Sequence, residues 1–152
     1  MIIKRVTTIE ESDICDKFLT NLIQYESSID NLINNKYVAK EFYRRALPNE
    51  NQYLALAFED NQPIGFIYAY RKISKETSFN DNIIEIDGLF IEESSRSCGI
   101  GSALIKIVED WAKSTYNTAH VEITYVNGNT PAQKCYEKLG YTPIKTTLRK
   151  EL

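Results

Sequence analysis

The chain predicts a mixed α/β sheet flanked by helices, on the strength of three observations. Tyr53 to Phe58 and Ile64 to Tyr70 are strand-like runs around the turn Glu59-Asp60-Asn61-Gln62-Pro63, which makes an antiparallel hairpin. The strand-like run Ile83 to Ile91 leads, through a short loop, into a strongly patterned helix. His120 to Val126 then reads as another strand, again followed by a helix. Hairpin strands first and strand-helix units afterwards point to one sheet covered by helices.

Taken in order, Met1 to Val6 reads as a short strand. Thr8 and Glu11 have capping-box spacing, so a helix should begin at about Ile9. Its apolar stripe is Ile14, Phe18, Leu22 and Tyr25, with Cys15 and Leu19 beside it. Glu10, Glu11 and Asp13 are helix-start charges. Glu26-Ser27-Ser28 breaks the pattern, and a second helix is expected from Lys36 to Leu47, stopped by Pro48. Residues 71–82 are polar and read as a loop. In the helix after Gly99, Ile100, Ala103, Leu104, Ile107, Val108, Trp111 and Ala112 form one apolar stripe at helical spacing. Asn127 to Pro131 is a turn delivering the last helix, with Thr130 as expected N-cap and Pro131 at the first helical position. Gly140 sits where a C-terminal glycine belongs, and a final strand is expected from about Thr142.

Composition bounds the function classes. At 152 residues, the chain suits a single domain, 1–152, with a real core. Hydrophobic content of 43% and charged content of 26% are those of an ordinary globular chain. Its apolar runs are too short to cross a bilayer, and its first residues lack a signal-peptide pattern. The net charge of −3, with no basic block, argues against nucleic acid as a partner. Cys15, Cys98 and Cys135 are odd in number and lack CxxC spacing, which argues against a disulfide framework or a zinc site and for a reducing cytoplasm. His120 is the only histidine, so no His pair is available for catalysis or metal binding.

The stretch Ser95-Arg96-Ser97-Cys98-Gly99-Ile100-Gly101-Ser102 carries the chemistry. Its glycines stand where a strand hands over to a helix, although the whole chain has only 6. The first N–H groups of a helix have no internal partner, and the helix dipole adds positive charge there. Phosphate is the natural occupant. Gly99 and Gly101 remove side chains that would hold it away, Arg96 adds a fork-shaped cation, and Ser97 and Ser102 add donors. No GxxxxGK[ST] is present, and Leu104 stands where a dinucleotide fingerprint needs its third glycine. A tight strand-to-helix turn with no ligand accounts for the two glycines equally well. Cys98 lacks an evident base partner and reads as a small loop residue.

Arg96-x-x-Gly99-x-Gly101, after the strand ending Gly88-Leu89-Phe90-Ile91, resembles the R/Q-x-x-G-x-G/A motif of the GNAT superfamily of N-acetyltransferases. Asn129-Thr130-Pro131-Ala132-Gln133-Lys134-Cys135-Tyr136-Glu137-Lys138-Leu139-Gly140-Tyr141 is similar to the family's N-x-x-A-x-x-x-Y-x-x-x-G-F/Y stretch, in the family's order and at about its separation. The resemblance implies the GNAT acyl-CoA N-acyltransferase fold: a central, mostly antiparallel, splayed sheet. It implies acetyl-CoA as cosubstrate, with its pyrophosphate on Arg96, Ser97, Cys98, Gly99, Ile100, Gly101 and Ser102. Its pantetheine arm would lie along Leu89, Phe90 and Ile91, with Asn129 and Ala132 as further contacts. One departure is Ser97, where many members carry glycine.

The resemblance further implies direct attack of an amine on the thioester in a ternary complex. Tyr136 occupies the place of the tyrosine near the thioester sulfur, a general acid; on helical spacing alone it reads as core beside Ala132, Cys135 and Leu139. Glu85 and Asp87 are the candidate bases, Asp87 lying nearer the thioester. The acceptor, a small-molecule or peptide amine, should lie near the first two helices, where Tyr25, Glu26, Asp30, Tyr37 and Tyr43 cluster. A non-catalytic acyl-CoA sensor of the same fold and a nucleotide-binding module are the competing readings. A homodimer is common in such a family.

Overall fold

The computed structural model describes residues 1–73, 75–77 and 82–152. Five strands form one sheet in the order β1 (Ile2–Arg5), β2 (Gln52–Glu59), β3 (Gln62–Arg71), β4 (Ile84–Ile91) and β5 (Val121–Ile123). The first four are antiparallel neighbours, and β4 pairs with β5 in parallel. The expected mixed, mostly antiparallel sheet is therefore present. Part of the expected 71–82 loop lies outside the described residues, and Arg71 closes β3.

Helices cover both faces. On one side α1 (Ile9–Ser27) lays Cys15, Phe18 and Leu19 against Leu54, Leu56, Phe66 and Tyr68. Its start follows the expected capping box: Glu11 N–H donates to Thr8 Oγ1 (3.2 Å), and Glu11 Oε2 accepts from Thr8 N–H (3.4 Å). On the other side α2 (Ile100–Tyr116) buries Ile100, Leu104, Val108 and Ala112 against Ile67, Ile84 and Ile86. A shorter helix, α3 (Thr130–Lys138), packs Ala132, Cys135 and Tyr136 onto the same core.

Four expectations need correction. No helix spans Lys36 to Leu47; a single 3-10 turn, Tyr43–Ala46, stands there. Side chains of α1 take the backbone donors that a helix would have used. Asp16 accepts from Phe42 N–H (3.0 Å) and Tyr43 N–H (3.1 Å), and Thr20 Oγ1 from Ala39 N–H (3.0 Å). The strand expected over His120 to Val126 is only Val121–Ile123, because its pairing with β4 ends at Ile86 and Ile123. Asn129, not Thr130, caps α3, its Oδ1 accepting from Ala132 N–H (3.3 Å) and Pro131 falling second in the helix. No strand starts near Thr142: among the described residues, 142–152 form no regular element and are exposed throughout. Pro143 cannot donate to a ladder.

Candidate active site

The early end of the β4–β5 pairing builds the site. Beyond Ile86, β4 continues to Ile91 with one edge on β3 (Gly65 opposite Ile91, Ile67 opposite Leu89) and the other without a strand. β5 veers away, and a cavity of about 510 Å³ opens in the wedge. Leu89, Phe90 and Ile91 line one wall, Ile123 to Tyr125 the opposite one. Residues of the loop from Ser95 to Ser102, of α3, and Leu22, Tyr25 and Glu26 of α1 complete the lining.

The loop adopts the shape that an anion site needs. Ser97 and Gly99 both have left-handed φ, 67° and 77°. Glycine holds that conformation at no steric cost, whereas a serine is strained by roughly 1–2 kcal/mol. Alternation of left-handed and ordinary residues turns successive N–H groups toward one point. The first helical bond of α2 runs from Ala103 N–H to Gly99 C=O (3.0 Å), so the amides of Ile100, Gly101 and Ser102 have no helical acceptor. A Cβ built on Gly99 or Gly101 would meet nothing within 4 Å. The glycines thus face open space and not a packed turn. Ile100 contributes backbone only, since its side chain is core, and Cys98 Sγ turns back to the Arg96 carbonyl at 3.6 Å.

Arg96 is built into the wall. Its Nε donates to the Ile91 carbonyl (3.0 Å), and its guanidinium lies 5.4 Å from the Tyr25 ring centre and 5.6 Å from that of Phe90. It ties the end of β4 to α1 while its outer nitrogens stay exposed to the cavity mouth.

Tyr136 is buried (8% exposed) yet lines the cavity, with the Tyr125 and Tyr141 rings 5.8 and 6.3 Å away. Its hydroxyl makes no hydrogen bond within the described residues. Burial, then Cys135 and Glu26, push its pKa well above the usual phenol range, so it stays protonated at neutral pH. Asn129 and Ala132 also line the cavity, although the Ala132 N–H is taken by the Asn129 cap.

The two acids of β4 part ways. Asp87 sits at a bulge, unmatched between the pairs Ala69–Ile86 and Tyr68–Gly88, and opens into the cavity. Asp87 is exposed, and partial desolvation, then Glu85, raises its carboxyl above the ordinary range, while Arg45 opposes them. Glu85 is buried and engaged by Lys72 and Thr124, outside the cavity lining. Glu26 of α1 also lines the cavity, its carboxyl raised by burial and by Asp87.

Of the residues expected around the acceptor, only Tyr25 and Glu26 reach the cavity. Tyr43 is buried in the α1-side core, with Tyr37 packed against that core, and Asp30 is paired with Arg149. Sequence reading missed Thr124 and Lys72, which lie 39 and 13 positions from Glu85; no local pattern links them.

Comparison with known proteins follows the same line. The tetramutant of the BH1408 protein from Bacillus halodurans is 16% identical, with a TM-score of 0.86 and all of both chains covered. The apo aminoglycoside 6'-N-acetyltransferase AAC(6')-IG from Acinetobacter haemolyticus is 16% identical, with a TM-score of 0.70 over 100% of this chain and 98% of that one. The aminoglycoside N-acetyltransferase AAC(6')-Iy in complex with CoA is 17% identical, with a TM-score of 0.68 over 99% and 98%. No curated protein matches the chain by sequence. The model of the Acetyltransferase (GNAT) family matches residues 19–141, most of the chain, which therefore belongs to the GNAT acetyltransferases.

Proposed function

We propose that residues 1–152 act as one domain that moves an acetyl group from acetyl-CoA to a primary amine of a small molecule or peptide. The observation that carries this reading is the wedge beyond Ile86 and Ile123, which runs from an open amide loop to a phenol and a carboxylate. The amides of Ile100, Gly101 and Ser102 with Arg96 take the diphosphate. The free edge of β4 at Leu89 to Ile91 pairs with the extended arm and presents N–H groups to the thioester oxygen.

The amine nitrogen attacks the carbonyl carbon, the C–S bond breaks, and the thiolate takes its proton from Tyr136. Before attack the acceptor ammonium gives one proton to Asp87, directly or through water. The second N–H proton, shed as the tetrahedral adduct collapses, returns through water to the Tyr136 phenolate. Asp87 is preferred to Glu85 because it alone opens into the cavity. Base action requires its ionised form, and the carboxyl is held high, so kcat/KM should fall with decreasing pH at values above the ordinary carboxylate range. The aminoglycoside acetyltransferases among the structural neighbours support a small-molecule amine as acceptor.

The test is titration calorimetry with CoA, followed by thiol release from acetyl-CoA against a panel of amines. Binding plus turnover on at least one amine is expected. Substituting Tyr136→Phe should lower that turnover about 100-fold while leaving CoA binding nearly unchanged. Tight binding without turnover on any amine would favour a non-catalytic acyl-CoA sensor.

A further inference from the structure

The residues around Glu85 form a system that the mechanism above does not use. Glu85 is 7% exposed, and both its oxygens are engaged. Oε1 accepts from the Thr124 hydroxyl at 3.1 Å, and Oε2 lies 2.9 Å from Lys72 Nζ, a close ion pair without hydrogen-bond alignment. The same ammonium donates to Glu122 Oε2. Glu85 and Glu122 are directly opposite in the parallel β4–β5 pair, one step before it ends. Two carboxylates so placed repel unless a cation lies between them. Lys72 is held there by its own backbone, whose N–H donates to the Ile83 carbonyl (2.8 Å). The Glu122 hydrogen bond first, with Glu85 adding to it, keeps the ammonium above the ordinary lysine range, so it stays charged at working pH.

We infer that Lys72 is a positioning residue for acetyl transfer. By bridging Glu85 and Glu122 at the vertex of the wedge it offsets part of their negative charge, so that Asp87 can ionise as the carboxylate that serves the acceptor. The inference rests on the reading of Asp87 as base. Thr124, the first β5-side residue past the pairing, fixes the other Glu85 oxygen and so keeps that carboxylate turned from the cavity.

The consequence is electrostatic. Charged and titratable groups reach Asp87 from each neighbouring element: Glu85 on β4, Glu26 on α1, Arg45 and Tyr43 on the 3-10 turn, Tyr68 and Tyr70 on β3. Glu85 and Glu26 oppose ionisation of Asp87, and Arg45 favours it. Without Lys72, the negative charge that Glu85 and Glu122 share loses its counter-ion close to Asp87, and Asp87 should ionise at higher pH.

Carbon-13 NMR titration of the aspartate carboxyls in the intact protein tests this without a known acceptor, Asp87→Asn supplying the assignment. Lys72→Met should move the Asp87 midpoint up by roughly half a pH unit or more. Lys72→Arg should restore it, and Lys72→Met with Glu85→Gln should bring it to the wild-type value or below. An unmoved midpoint in Lys72→Met, or a shift that survives removal of Glu85, overturns the inference. If Lys72→Met does not fold, Lys72→Gln takes its place: a raised Asp87 midpoint supports the inference and an unmoved one overturns it. The base reading is tested separately, with an amine from the panel. There the acidic limb of kcat/KM should follow the NMR midpoint, and Asp87→Asn should remove it. Full turnover in Asp87→Asn would sink the base reading while the NMR result still stood for the charge of Lys72.

Discussion

Gly101 and Tyr136 raise opposite questions of identity. Gly101 has an ordinary backbone, and a side chain there would meet no protein atom. Packing gives no reason for glycine at that position; under the proposed function the reason is the diphosphate. Gly101→Val should therefore keep the fold, read as an unchanged unfolding transition. It should weaken CoA binding about 100-fold, the equivalent of two hydrogen bonds to charged oxygens. Unaltered affinity would remove the loop from the site. Tyr136 is a core residue by exposure and a cavity residue by position. The two descriptions agree: burial further raises a phenol that is already protonated at neutral pH, and under the proposed function that proton serves the leaving thiolate.

Between α1 and the 3-10 turn, one buried carboxylate does the work of a helix. Asp16 is 4% exposed and accepts from the two amides that open the Tyr43–Ala46 turn. That turn places Tyr43 beneath Gly88, where a Cβ would come within 2.9 Å of the Tyr43 hydroxyl. The bulge at Asp87 thus rests on a segment whose shape is imposed by α1. Replacing Asp16→Ala leaves two enclosed N–H groups unmatched and should cost about 1–3 kcal/mol. Urea unfolding should show it as a lowered midpoint with the slope unchanged.

At the scale of the molecule, the wedge is the stretch in which β4 runs on to Ile91 after its pairing with β5 has ended at Ile86. Both cores remain intact on either side of it, so the cavity is held open by packing elsewhere. A ligand that fills it ties β4, α1, α2 and α3 together and binds the folded chain alone. CoA at 100 times its dissociation constant should add about 2.7 kcal/mol and raise the thermal midpoint by roughly 5–10 °C. ATP and NAD at the same concentration should leave it unmoved. An equal rise with ATP would favour the nucleotide-binding reading.

The amino-acid order alone determined the hairpin, α1 with its capping box, α2 with its apolar stripe, and the glycine loop that opens α2. Each rests on contacts within a dozen or so residues, where period and turn chemistry act. It marked Tyr136, Asp87 and Glu85 as candidates, with Asp87 the nearer to the thioester, but not the partners that surround the two acids. Tertiary structure decided what depends on distant partners. Asp16 and Thr20 drew the backbone of 39–43 away from a helix. Divergence from β4 cut β5 to three residues. Lys72 and Thr124 withdrew Glu85 from the cavity and left it to Asp87. Charge and hydrogen-bond partners brought from far along the chain leave no period to read, so only the folded arrangement assigns them.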